Sequence, residues 1–253
     1  MVHQLCLIST IEFSNYIQTI STLQAITGQV PTSISTYSII SKPINVFKPK
    51  FEPGKVNQIE QFFMKSITTW DEDININDPI IDKQFTSKLF TGENKIWTLQ
   101  IADIPIAGKN QICSLQNIYE STLVYNSNDN SFLQFLNDLG YEVINQFWNK
   151  GLRFFYGDIV IEIYKIFIRD DGQQEENPDD MEGIQKSDKI TLKLLDESNG
   201  FQIKAFINVP KSTDLDIINQ GYKDLVKLQD NLKGLVKFEI PDRIFMDSRV
   251  SST

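Results

Sequence analysis

Between Tyr141 and Ile168 aromatic and β-branched residues alternate with polar ones over a long, regular stretch. Period-two alternation puts one set of side chains on each face of a sheet, so the stretch reads as β-structure. The Gly-bearing steps Asn149-Lys150-Gly151 and Gly157-Asp158 divide it into three strands of an antiparallel meander. Phe201, Ile203, Ala205, Ile207 and Val209 repeat the pattern later, with mostly polar residues between them. With 17 Phe, 8 Tyr and 3 Trp, the composition suits pleated, half-buried surfaces, and sheet is the dominant architecture expected.

Further strands are expected at about 5–9, 34–41, 58–69, 85–90, 96–104, 112–125, 190–195 and 235–240. The pair 190–195 and 201–209 reads as a hairpin around Asp196 to Gly200. Three helices interrupt the strands. The first is capped by Ser14, carries Ile17, Ile20, Leu23 and Ile26 at helical spacing, and stops at Gly28 and Pro31. A short one follows a cap at Asn130 or Ser131 and ends at Gly140. The longest runs from Thr213 to Gly234 with Leu215, Ile218, Tyr222, Leu225, Leu228 and Leu232 as its apolar stripe. Gly221 inside it costs about 1 kcal/mol relative to Ala, so either a neighbour packs closely there or the helix is locally weak.

Residues 42–57 hold Pro43, Pro49, Pro53 and Gly54 and read as an extended arm. Asp71 to Asp82 is expected as a polar loop, and residues 169–189 as an acidic mobile loop with little to bury. The whole chain, 1–253, is expected to form one domain of mainly β (α+β) class. It should be a multi-stranded antiparallel β-barrel flanked by a few helices.

The chemistry-bearing residues are few. A net charge of -9 disfavours direct DNA or RNA binding, which needs a cationic face. No apolar run reaches membrane-spanning length, and the start Met1-Val2-His3-Gln4 lacks signal-peptide character, so a soluble intracellular chain is expected. His3 is the single histidine and reads as a solvated terminal residue, which leaves nucleophilic triads without a base. Cys6 and Cys113 stand apart within strand-like runs and read as small buried hydrophobes, so no metal site or disulfide is indicated. Gly108-Lys109-Asn110 lacks the remainder of a phosphate loop.

A barrel that hydrolyses triphosphates through a lumen metal needs Glu-x-Glu strands, which aim two carboxylates at one lumen. No strand here has that pair; Glu162 stands alone on its face beside Val160, Tyr164 and Ile166, with Lys165 on the other. A lumen without carboxylates, a scaffold with no catalytic residue, metal or cofactor, is therefore the expectation. A tunnel-type phosphohydrolase and an RNA-binding module remain the alternatives, the latter resting on Lys42, Lys48, Lys50 and Lys55 interleaved with Phe47 and Phe51.

Three long stretches carry a family resemblance: Trp97 to Gln111 (WTLQIADIPIAGKNQ), Lys204 to Asn219 (KAFINVPKSTDLDIIN) and Pro241 to Val250 (PDRIFMDSRV). Together with Met1 to Leu7, the first helix, and the segment Phe132 to Phe167, they resemble the fungal form of the Mediator subunit 18 family. That resemblance implies a barrel flanked by helices, similar to RNA triphosphatase tunnels but without their active site. It also implies a transcription coactivator of the nucleus, within the head module of Mediator, linking regulators to RNA polymerase II and the initiation machinery. Mediator subunit 20, as a paralogous barrel, and the C-terminal helix of Mediator subunit 8 are the partners it implies.

Candidate partner surfaces follow from composition. Residues 13–41 contain no Asp, Glu, Lys or Arg. Interface cores are depleted of charge, so the helix face Asn15, Gln18, Thr19 and Thr22 is the first candidate, with cover by the arm as the alternative. The ring group around Trp148, Phe154 and Tyr156 lies on both faces of the meander and is the second, unless the helix at 213–234 covers it. The tail residues Ile244, Phe245 and Met246 are the third, unless the tail folds back on the barrel.

Overall fold

The computed structural model describes residues 1–47, 60–75, 79–91, 95–107, 111–125, 131–170, 189–211 and 213–250. Its strands are β1 (Val2–Ile11), β2 (Thr32–Pro43), β3 (Met64–Thr69), β4 (Ile80–Asp82), β5 (Lys95–Ala102), β6 (Ser114–Tyr125), β7 (Tyr141–Tyr156), β8 (Ile159–Arg169), β9 (Lys189–Leu194) and β10 (Phe201–Val209). Its α-helices are α1 (Tyr16–Thr27), α2 (Lys83–Thr91), α3 (Phe132–Asp138) and α4 (Leu215–Asn231). Eight strands form a closed ring in the order β1–β6–β5–β3–β2–β7–β8–β10, and β10 pairs with β1 to shut it. Every pairing in the ring is antiparallel, so the expected barrel is present.

One alternation sorts most of the strand side chains, although Ile34, Ile67, Ile118 and Phe206 line the lumen with the polar set. Gln4, Lys204, Glu162, Arg153, Asn149, Thr36, Lys65, Gln100 and Glu120 occur on one linked set of register partners and line the lumen. The neighbouring positions face outward and are apolar. Leu5, Leu7, Ile161, Ile163, Ile203, Ala205 and Ile207 form one outer cluster, joined by Leu23 of α1 and by Ile218, Leu225 and Leu228 of α4. Tyr37, Ile39, Trp97, Trp148 and Phe167 form a second, joined by Leu89 of α2, Phe132 and Leu136 of α3, and the segment Trp70 to Ile74. Lys150 fastens that segment through Asp73 and through the Ile74 carbonyl oxygen.

Several expectations change. Residues 85–90 belong to α2, not a strand: Ile81, Phe85 and Leu89 are four apart and turn the same side inward, and Asp82 Oδ1 accepts the Gln84 N–H at 2.9 Å at the helix start. Asn149-Lys150-Gly151 is no turn, because β7 runs unbroken through it. Gly151 lies opposite Tyr164, and a Cβ there would stand 2.0 Å from the Ile163 carbonyl oxygen, so the glycine permits close approach of β8. Gly157, at φ 59°, is the turn that was expected.

β9 and β10 do not pair as a hairpin; both lie along the same edge of β8, β10 at Val160–Tyr164 and β9 at Phe167–Arg169. Residues 235–240 are reduced to a single bridge between Ile8 and Glu239. β2 continues through Pro43, two residues into the expected arm, and α4 ends before Gly234. The cap of α3 is Ser131, whose hydroxyl accepts the Gln134 N–H at 3.2 Å; Asn130 lies outside the described residues, as do 48–57 of the arm and 171–188 of the acidic loop.

The two strand-facing glycines differ in what an added methyl would meet. At Gly151 the obstacle is backbone of β8, whereas at Gly221 it is the mobile Leu5 Cδ1 at 2.6 Å. In urea unfolding, Gly151→Ala is expected to cost about 3 kcal/mol, the upper range for overpacking a fixed neighbour. Gly221→Ala is expected to cost about 1 kcal/mol or less, because the gain in helix propensity offsets the rotation of Leu5. Equal losses in the two variants would contradict the close-approach role of Gly151.

Candidate interaction surfaces and the barrel lumen

The lumen is polar and charged, which corrects the expectation of an interior without carboxylates. Glu162 of β8 stands between its register partners Arg153 on β7 and Lys204 on β10. Arg153 donates to Glu162 Oε1 from Nε at 2.9 Å and from Nη2 at 2.5 Å. Glu120 of β6 enters from the other side of the ring and accepts from Gln100 Nε2 at 2.6 Å. Lys204 Nζ donates to Gln4 Oε1 at 2.7 Å, and Gln4 Nε2 donates to Asn208 Oδ1 at 2.9 Å. Lys65 Nζ lies 5.3 Å from the Phe147 ring centre.

Burial brings Lys65 down to about 8, aided by the Lys204 charge and opposed by Glu162. Burial also pushes Tyr164 up to about 12, with Glu162 adding to the rise. These charges surround a cavity of about 260 Å³. Among the described residues, no three His, Cys, Asp or Glu side chains come together as a metal site. Each lumen carboxylate is instead held by a donor of its own barrel.

His3 is not a solvated terminal residue. Inside β1 it is buried, and its Nδ1 pairs with Asn117 Oδ1 at 2.7 Å. Cys6 and Cys113 are buried free thiols, both raised by burial, Cys113 to about 12. Lys165 does face away from Glu162. Its Nζ bonds Asn199 Oδ1 and lies 4.4 Å from the Phe201 ring and 5.2 Å from Phe13, where Tyr16 stacks on Phe201 at 3.9 Å. That aromatic and cationic cluster seats the start of α1 against the barrel.

The expected partner surfaces separate into covered and open ones. Thr19 is fully buried and donates its hydroxyl to the Asn15 carbonyl at 2.8 Å, so it leaves the candidate face. Asn15 and Gln18 are exposed, and Thr22 is half-buried beside them. Ile17, expected to face inward, is 76% exposed on this charge-free helix. Trp148 and Phe154 are covered by the chain itself and offer no surface: Trp148 lies in the cluster under α3 and the Trp70 segment, and Phe154 in the cluster under α1 and α4. Only Phe154 thus has the cover expected from the long helix. Tyr156 is half-buried against that same cluster.

The tail folds back on the barrel and still presents its tip. Arg243 Nε donates to the Pro105 carbonyl at 2.8 Å, Gln116 Nε2 to the Met246 carbonyl at 3.2 Å, and the Val250 N–H to the Gln61 carbonyl at 2.7 Å. Between these anchors Ile244 is 79% and Phe245 89% exposed, while Met246 is half-buried. Lys42 of the arm pairs with Glu142 at 2.9 Å on the surface; Lys48, Lys50, Phe51 and Lys55 lie outside the described residues.

Comparison with known proteins places this architecture. A chain in the structure of the Schizosaccharomyces pombe Mediator head module superimposes with a TM-score of 0.64 at 14% identity, over 93% of this chain and 97% of that one. Mediator of RNA polymerase II transcription subunit 18 from Debaryomyces hansenii is 45% identical, and that from Candida albicans 44%, each over 99% of both chains. The family model described as Med18 protein matches residues 3–249, and the chain belongs to that family.

Proposed function

We propose that this chain is a non-catalytic β-barrel subunit of the Mediator head module that helps link gene regulators to RNA polymerase II in the nucleus. The observation that carries this reading is end-to-end similarity, 45% over 99% of both chains, to a protein named as a Mediator subunit. The lumen agrees with a scaffold role. Among the described residues the lumen carboxylates Glu162 and Glu120 stand on different strands and accept from Arg153 and Gln100, and no three His, Cys, Asp or Glu side chains come together, which weighs against a metal-dependent phosphohydrolase.

Two surfaces suit partners. The charge-free face of α1, with Asn15, Ile17, Gln18 and Thr22, fits an uncharged contact of mixed polarity such as a second barrel, here assigned to Mediator subunit 20. The tip Ile244-Phe245, flanked by the hydrogen bonds of Arg243 on one side and of Met246 and Val250 on the other, is a pre-organised apolar anchor suited to an amphipathic helix, here assigned to the C-terminal helix of Mediator subunit 8.

Affinity purification of the tagged full chain is expected to recover a second barrel subunit in equal amount. The double variant Ile244→Asp with Phe245→Asp should weaken capture by about thirtyfold, the loss of an anchor worth about 2 kcal/mol, while leaving circular dichroism unchanged. Thr22→Arg, adding a charge to the uncharged face, should reduce recovery by about fivefold. Unchanged stoichiometry in both variants refutes these surfaces. A chain that purifies alone and releases phosphate from a triphosphate with added metal refutes the scaffold reading itself.

A further inference from the structure

Two ammonium groups of the lumen have no carboxylate of their own. Arg153 forms an ion pair with Glu162, while Glu120 accepts only from the neutral amide of Gln100 and keeps its charge, so among the described residues three lumen cations, Lys65, Lys204 and Arg153, face two carboxylates. Lys204 Nζ meets a neutral amide oxygen, and Lys65 Nζ meets only the Phe147 ring, with no hydrogen bond or ion pair among the described residues. Two like charges kept in a half-enclosed site cost stability, since each loses hydration and each repels the other. The barrel does not need them to close: apolar side chains of similar volume would fill the space at lower cost.

The cavity of about 260 Å³ has room for one compact solute with a few waters. It communicates with solvent, because Glu120 is exposed and the Arg153 side chain is 38% exposed. We propose that the lumen binds a small dianionic oxyanion of the sulfate or orthophosphate class, held between Lys65 and Lys204 with the free N–H groups of Arg153 as a third arm. Arg153 spends Nε and Nη2 on Glu162, which leaves Nη1 to donate. An oxyanion there offsets the excess of three lumen cations over two carboxylates and gives the Lys65 and Lys204 ammonium groups charged acceptors, and the chain's net charge of -9 repels it from the remaining surface.

The ionisable groups facing Lys65 are Lys204, Glu162, Arg153, Glu120 and Tyr164, from four other strands. Lys65 itself titrates near 8, being lowered by burial and by Lys204, so it is charged at neutral pH and loses its proton in mild alkali. Bound anion is therefore released as pH rises through that value.

Calorimetric titration of the full chain with inorganic sulfate, at ionic strength held constant with chloride, tests the site. Sulfate keeps its charge across the range, so any pH dependence belongs to the protein. Saturable one-site binding at pH 7 is expected, with a loss of about tenfold or more in Lys65→Met and in Lys204→Met, each removing one charge-assisted contact. Lys237→Met removes the same charge from an exposed site and should change nothing. Raising the pH from about 7 to about 9.5 should weaken binding about fivefold or more as Lys65 deprotonates. Absence of saturable heat, an equal loss in Lys237→Met, or binding indifferent to pH overturns the proposal. Should Lys65→Met fail to fold, the wild-type pH profile carries the same decision.

Discussion

Closure of the sheet through β10 is the constraint on which the rest of the molecule depends. β10 pairs with β1 on one side and with β8 on the other, so eight strands share a single register. Because side chains alternate with period two, a slip of one residue in any strand would carry its lumen set outward. In β8, such a slip would place Glu162 and Tyr164 beneath the helices and Ile161 and Ile163 beside Lys204. Both outcomes strand charge in apolar surroundings, and the register is therefore strongly determined. Closure also leaves the ring without a free edge; β9 and β4 extend only from the far end of β8.

The distribution of polarity follows from that register and dictates the helices. Here the lumen is polar and the outer face apolar, so the outside must be covered before the barrel is stable in water. α4 covers the β1–β10–β8 side and α1 packs beside it on β7, while α2, α3 and the Trp70 segment cover the side built on β2, β5 and the other part of β7. Leu225 and Leu228 of α4 are completely buried, and each contributes about 2 kcal/mol by leaving water. The amphipathic stripe of α4 is thus one half of an interface whose other half is the outward set of three strands. Apolar groups that this cover does not reach include Ile17 on α1 and Ile244 with Phe245 at the tail tip.

The sequence shows the alternation but not which face becomes the inside. β8 and β10 were readable because their two faces differ sharply, and the Gly157 turn because a left-handed position needs glycine. Gly151 was ambiguous: glycine serves both turns and close approaches, and only the partner strand distinguishes them. α2 was misread because Phe85, Leu89 and Phe90 in a short run fit either period; the signal that decides is the four-residue step from Ile81. The supposed hairpin at Asp196 failed because two consecutive strands share one edge of β8, a long-range pairing that no local turn chemistry encodes. The lumen was half visible. Glu162 could be put on a face with Tyr164, yet Glu120 and Lys65 join it only once the ring closes. Burial of Thr19 and exposure of Ile17 rotate the helical face away from the one expected from polarity alone, while Ile20, Leu23 and Ile26 still turn inward, since a threonine whose hydroxyl bonds its own helix backbone buries easily.

Charge inside the ring is the feature that folding by itself does not account for. A buried ion pair is weak evidence of stability, because desolvation offsets most of its attraction, and Lys65 lacks even a pair. A barrel selected only to present its outer surface would be better served by an apolar lumen, as in small barrels whose side chains fill the interior. Two properties therefore coexist on one scaffold: an outer face whose apolar residues are largely covered by helices, and an inner face whose cations, among the described residues, exceed its carboxylates. Register closure separates them so completely that substitutions in the lumen at Lys65 or Lys204 leave the residues at Ile17 and Ile244 untouched, and each face can be altered without the other.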